Sequence, residues 1–131
     1  MNTPVKFEIA KLLKEKGIKI DTDEVIFYRD EVNNIEEHQI KNRDVLYSYT
    51  GMDPYPAFDE NEYQTYIIAE VVMWLYEKHG IWIYPFRHDF NKEFYWSIDT
   101  KNEDEYTSDD KFNSPTEAYE AAIEYTLNNL I

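Results

Sequence analysis

Residues 66–76 read YIIAEVVMWLY, an apolar run broken only by Glu70. A helix that is apolar all round has to be covered by other elements, so this stretch predicts a central, buried helix with the remaining chain arranged around it. The helix is expected to span about Glu60 to His79. Asp59 with Glu62 resembles a capping box in which Asp takes the place of Ser or Thr. At the far end Glu77, Lys78 and His79 return the chain to water and Gly80 supplies the stop.

Two further helices flank it. Val5, Ile9, Leu12 and Leu13 recur at helical spacing, which predicts a first helix from about Pro4 to Lys16, capped by Thr3, opened by Pro4 and stopped by Gly17. Ser114-Pro115-Thr116-Glu117 has Ser at the cap, Pro at the first position and Glu at the third, which starts a third helix running to about Asn129.

Between the helices lie strand signals. Val25–Tyr28 and Val45–Thr50 are β-branched and aromatic, 35–40 suggests another short strand, and 51–61 carries the Gly and two Pro of a loop. Ile81–His88 and Glu93–Asp99 form a hairpin pattern. Pairing His88 with Glu93 sets Phe86 opposite Tyr95, Tyr84 opposite Ser97 and Trp82 opposite Asp99. One face then holds Ile81, Ile83, Pro85, Phe94, Trp96 and Ile98, a core set, and the other holds Trp82, Tyr84, Phe86 and Tyr95. Residues 99–110, with six acids and one lysine, read as a solvated loop. LLKEKGIKI (12–20) echoes LYEKHGIWI (75–83), giving the order αββ-αββ-α. The expectation is an α+β fold: one two-layer domain over 1–131, an antiparallel sheet of about four strands, and three helices packed mainly on one face.

Three segments carry a resemblance: TPVKFEIAKLLKEKG (3–17), IAEVVMWLYEKHGIWIY (68–84) and NSPTEAYEAAIEYTLNNLI (113–131). Together they are similar to a group of small uncharacterised proteins of gut bacteria and their prophages, over roughly two fifths of the chain. That family has no assigned activity, so the resemblance implies a mobile-element setting and no functional residue.

Charge restricts the functions. The chain holds 13 basic and 27 acidic residues, a net of −14. Residues 1–20 carry five lysines against Glu8 and Glu15, a net of +3, which leaves −17 for residues 21–131. Such a field repels phosphate backbones, so direct nucleic-acid binding is not expected. No run is long and apolar enough to cross a bilayer, and the N-terminus lacks a continuous apolar signal segment, so a cytoplasmic protein without membrane contact is expected.

Chemistry-bearing motifs are sparse. The chain lacks cysteine, which removes thiolate nucleophiles and Cys-type zinc sites. His38, His79 and His88 form no metal-binding spacing; His88-Asp89 beside Glu93 reads as an exposed turn, and His79 complements the negative end of its helix. None of Ser48, Ser97, Ser108 and Ser114 sits in GxSxG, and three glycines cannot build a phosphate cradle. No cofactor and no catalytic residue are expected.

Function is therefore read from surfaces. The Trp82, Tyr84, Phe86, Tyr95 face suits a non-catalytic interaction module that binds a protein partner or closes a homodimer, unless the 30–44 segment covers it. An alternative is an acidic DNA mimic that occupies a defence protein. Its carboxylates are Asp21, Asp23, Glu24, Asp30, Glu31, Glu36 and Glu37, with Glu103, Asp104, Glu105, Asp109 and Asp110 in the second acidic run. A further alternative is an enzyme with an unrecognised site, which a deep pocket of converging polar groups would support.

Overall fold

Three helices and six strands account for the regular structure in residues 3–22, 25–31, 34–40, 60–87 and 93–131, the residues described by this computed structural model. The helices are α1 (Phe7–Glu15), α2 (Ile68–His79) and α3 (Pro115–Asn129). The strands are β1 (Val25–Glu31), β2 (Asn34–Ile40), β3 (Glu62–Thr65), β4 (Ile81–Arg87), β5 (Phe94–Thr100) and β6 (Glu105–Thr107). The class is α+β, as expected. The strands form two antiparallel sheets, ordered β2-β1-β3 and β4-β5-β6, where the sequence suggested a single sheet of about four. In each sheet a short third strand pairs the open side of the central one, β3 on β1 and β6 on β5. The chain divides into two compact units, Pro4–Tyr66 and Met1–Thr3 with Ile67–Ile131. The strand expected at 45–50 and the loop at 51–58 lie outside the described residues.

In the unit Pro4–Tyr66, α1 buries Ile9, Ala10 and Leu13 together with Val5, Ile20, Val25, Ile26 and Phe27. The helix starts at Phe7, with Lys6 at its N-cap and no side-chain cap, so the expected Thr3-Pro4 start is corrected. Val5 is extended instead. Its N–H donates to Tyr66 O, and its carbonyl accepts from the Tyr28 and Thr65 hydroxyls at 2.8 and 2.9 Å. Three tertiary hydrogen bonds outweigh one local cap worth about 1 kcal/mol. The far end follows the sequence. Gly17 is left-handed (φ +68°), its N–H donates to Lys14 O, and the Ile18 N–H reaches back to Leu13 O.

The same unit corrects the start of the second helix. Glu62–Thr65 is strand β3, paired with β1 in the register Arg29↔Glu62 to Ile26↔Thr65. Glu62, expected in the first turn of that helix, is thus in a strand, and Asp59 of the expected capping box lies outside the described residues. Glu62 instead accepts from Arg29 Nη2 at 2.9 Å, and Lys14 Nζ donates to Glu62 O at 2.8 Å while lying 4.5 Å from the centre of the Tyr63 ring.

In the unit that holds Ile67–Ile131, α2 begins at Ile68, and Glu70 accepts from the Ile67 N–H at 3.3 Å. Ile68, Val71, Val72 and Leu75 form its buried stripe, whereas Met73 and Tyr76 are exposed. The helix is thus one-sided rather than apolar all round: only the side of Ile68, Val71, Val72 and Leu75 is covered by other elements. Gly80 ends it at φ +64°. β4 and β5 pair in the expected register, with Trp82↔Asp99, Tyr84↔Ser97 and Phe86↔Tyr95. Ile81, Ile83, Trp96 and Ile98 are buried on the side where α2 and α3 pack, with Ala118, Ala122, Ile123 and Leu127 of α3. Pro85 sits in β4, at the sheet's edge, where its missing N–H is tolerated.

The acidic segment 99–110 is not all loop. Glu105–Thr107 forms β6 on β5, with Ser97↔Thr107 and Asp99↔Glu105. The turn into it is tight. The Glu103 N–H donates to Thr100 O and the Thr100 N–H to Asp104 O, with Glu103 left-handed at φ +67°. Past β6 the pairing continues through the Ser108 side chain, which accepts from the Trp96 N–H, and then through two 2.8 Å bonds between Phe94 and Phe112. The α3 cap forms as expected at Ser114, whose Oγ accepts from the Glu117 N–H, while Glu117 reaches the Asn113 N–H. Among the described residues no helix is long and apolar enough to cross a membrane.

Candidate functional site

The outer face of the β4-β5-β6 sheet carries the four aromatic side chains singled out in the sequence, because residues alternate sides along a strand and Ile81 and Ile83 point to the helices. The face is not uniform. Ser97, at its centre, is only 2% exposed and is flanked in register by Tyr84 and Thr107. Phe86 and Tyr95 stack on each other at 5.7 Å between ring centres, and with Tyr84 they are half-buried. Trp82 is separate: it is 40% exposed at the start of β4.

Trp82 has a partner outside the expected four. Tyr76, one turn before the end of α2, is 52% exposed and meets Trp82 edge to face at 5.3 Å, with 74° between the planes. Met73, one turn earlier on the same helix face, is 43% exposed. The apolar run 66–76 predicts Met73 and Tyr76 inside a buried helix. The signal that could have found them is Glu70 and Glu77, which lie at i−3 and i+4 from Met73 and so mark the solvent side.

These rings wall one side of an open cleft of about 470 Å³ between the end of α2 and the start of the β4–β5 pair. Glu77, Asp99 and Lys101 bring charge to it. Gly80 forms part of its floor, and the Lys101 stem lies across that glycine: a Cβ there would stand 2.8 Å from Lys101 Cδ. The left-handed glycine that stops α2 thus also lets the β5–β6 turn approach the helix end. The cleft joins aromatic faces with both signs of charge.

The acidic candidates fall in two places. Asp21, Asp30, Glu31, Glu36 and Glu37 belong to the unit Pro4–Tyr66. Within it Arg29 stands in register between Glu36 and Glu62 and pairs with Glu31 at 3.9 Å, so cationic charge is set among the carboxylates. Glu36 and Glu37 are both exposed but adjacent in β2, hence on opposite faces. Glu103, Asp104, Glu105, Asp109 and Asp110 are exposed around β6 in the other unit. Asp23, Glu24, His88 and Asp89 lie outside the described residues. Among the described residues no group of three His, Cys, Asp or Glu side chains is arranged to hold a metal ion. His79 lies in the last turn of α2, as expected, with its ring 5.1 Å from that of Trp74.

Compared with family models, with curated proteins and with solved structures, the chain matches none of them.

Proposed function

We propose that the chain is a non-catalytic protein-interaction module whose contact surface is the aromatic corner Tyr76–Trp82. The observation that supports this most is the exposure of two large rings in mutual contact at the rim of an open cleft. Tyr and Trp bring large contact area at small entropic cost and dominate the energetics of interfaces. The surface is narrower than the expected four-ring face: Tyr84, Phe86 and Tyr95 are half-buried, and Phe86 and Tyr95 stack on each other rather than on Trp82. The absence of cysteine suits a reducing cytoplasmic setting.

The test compares the wild-type protein with a Tyr76→Ser/Trp82→Ser variant whose circular dichroism matches it. Both are used in affinity capture from the host and in light scattering over a range of concentrations. The wild type is expected to retain a partner, or to self-associate, and the variant to lose it. Identical captured proteins and a monomeric mass for both would end the proposal.

A further inference from the structure

The cleft's chemistry points to one class of occupant. Resting on the interaction reading above, we propose that the Tyr76–Trp82 corner receives an arginine side chain of the partner, and that this residue is the anchor of a basic peptide segment. The two ring planes meet at 74°, so their faces form two walls of a corner. An aromatic face attracts a cation through its quadrupole, and a planar guanidinium can stack on one wall while its edge meets a carboxylate.

Carboxylates are available beside the rings. Glu77 and Asp99 line the cleft, and the adjoining turn and β6 add Glu103, Asp104 and Glu105. These five acids stand against Lys101 and Lys78, the neighbour of Glu77, a local net of −3. The unit's field therefore favours a cationic partner before any contact is made. Arginine fits better than lysine here because its fork can meet a carboxylate with two parallel bonds while its face stays on a ring.

Lys101 sharpens the proposal. Its stem is held against Gly80, and its ammonium group has no ion pair among the described residues. In the free protein it contributes a like charge at the mouth of the cleft. An incoming guanidinium has to displace it, so removing that charge while keeping the stem should strengthen binding. A purely apolar docking surface would not respond in this way.

The experiment titrates the full chain with the peptide acetyl-Gly-Gly-Arg-Gly-Gly-amide, followed by the Trp82 indole and Gly80 amide resonances in NMR. Controls replace the arginine with citrulline, its neutral isostere, or with leucine. The arginine peptide should bind in the millimolar range and the citrulline peptide roughly ten-fold more weakly or worse. Glu77→Gln and Asp99→Asn should each weaken arginine binding about three-fold or more at low salt, and Lys101→Gln should strengthen it by a similar factor. All three variants lie at the surface and leave the core intact. The proposal is overturned if the arginine peptide moves neither resonance, if citrulline or leucine binds equally well, or if the three charge variants leave affinity unchanged. Should any of these occur while Trp82→Ser still abolishes partner capture or self-association, the interaction surface stands and only its arginine anchor is lost.

Discussion

Replacing Ser108 with alanine tests how the acidic segment is attached to the sheet. In a regular antiparallel ladder the Trp96 N–H would find a carbonyl on its neighbour. Here it donates to Ser108 Oγ at 3.1 Å, and that hydroxyl donates onward to Asp110 O at 3.0 Å. The Ser108 N–H in turn donates to Trp96 O. Both Trp96 and Ser108 are buried, so water cannot readily take the place of the missing oxygen. Ser108→Ala leaves a buried backbone donor without an acceptor, at a cost of about 1–3 kcal/mol, or a roughly 5- to 150-fold change in the folding equilibrium. The assay is urea unfolding followed by tryptophan fluorescence. Trp74, Trp82 and Trp96 all lie in the unit containing Ile67–Ile131, so the signal reports that unit alone. The midpoint should fall with an unchanged m-value, the Trp96 amide should exchange faster, and Ser108→Thr, which keeps the hydroxyl, should retain most of the stability. A Ser108→Ala variant within about 0.5 kcal/mol of wild type, a change usual for plain surface sites, would refute the reasoning. So would a Ser108→Thr variant that loses as much as the alanine.

Three other outcomes follow from the same geometry. Glu103 is a non-glycine residue held left-handed at φ +67°, so Glu103→Gly should raise stability by about 0.5–1 kcal/mol in the same fluorescence assay; a loss would show that its side chain matters more than its backbone. The Val5 carbonyl accepts two hydroxyls, so Tyr28→Phe or Thr65→Val alone should each cost about 0.5–1.5 kcal/mol, while the double variant should cost more than their sum, since only it orphans the oxygen. Far-UV circular dichroism is the readout for that cycle, because the unit Pro4–Tyr66 contains no tryptophan, and strict additivity would count against shared satisfaction. Burial pushes the Tyr119 hydroxyl above its ordinary value of 10.0. The contribution from this raised group is fully present below the unfolded value and is lost as pH rises through the folded one, so alkaline stability should decline less steeply in Tyr119→Phe. That variant should also lose one tyrosine signal at 295 nm that titrates above 10.0; an unchanged titration would exclude Tyr119 as its source.

Some of this was legible in the sequence because the deciding interactions are local. Ser114 caps α3 with Glu117 three residues on, and strand alternation holds β4 and β5 in a register in which a slip of one would turn Ile81, Ile83, Trp96 and Ile98 outward. The candidate site was half legible. Trp82 was placed on the outer face by strand alternation, but its partner Tyr76 was assigned to a core helix, because the apolar run 66–76 does not reveal where strand gives way to helix. The strand β6 went unread, since three residues in an acidic stretch pair only because β5 offers an open edge.

The three helices, the glycine stops at Gly17 and Gly80 and the two faces of the β4–β5 hairpin are local properties of the chain. Each rests on hydrogen bonds or alternation within a few residues, where the chain has little freedom to choose otherwise. Only the tertiary structure decided where the first two helices begin. Residues 3–5 and 62–65 could satisfy their backbone groups locally in a helix turn or remotely on a neighbouring strand. The remote partners, β1 for residues 62–65 and Tyr66, Tyr28 and Thr65 for Val5, supplied more bonds than a cap could. On α2 the core took the side of Ile68, Val71, Val72 and Leu75, which left Tyr76 outward, where it meets Trp82 and makes the aromatic corner a surface.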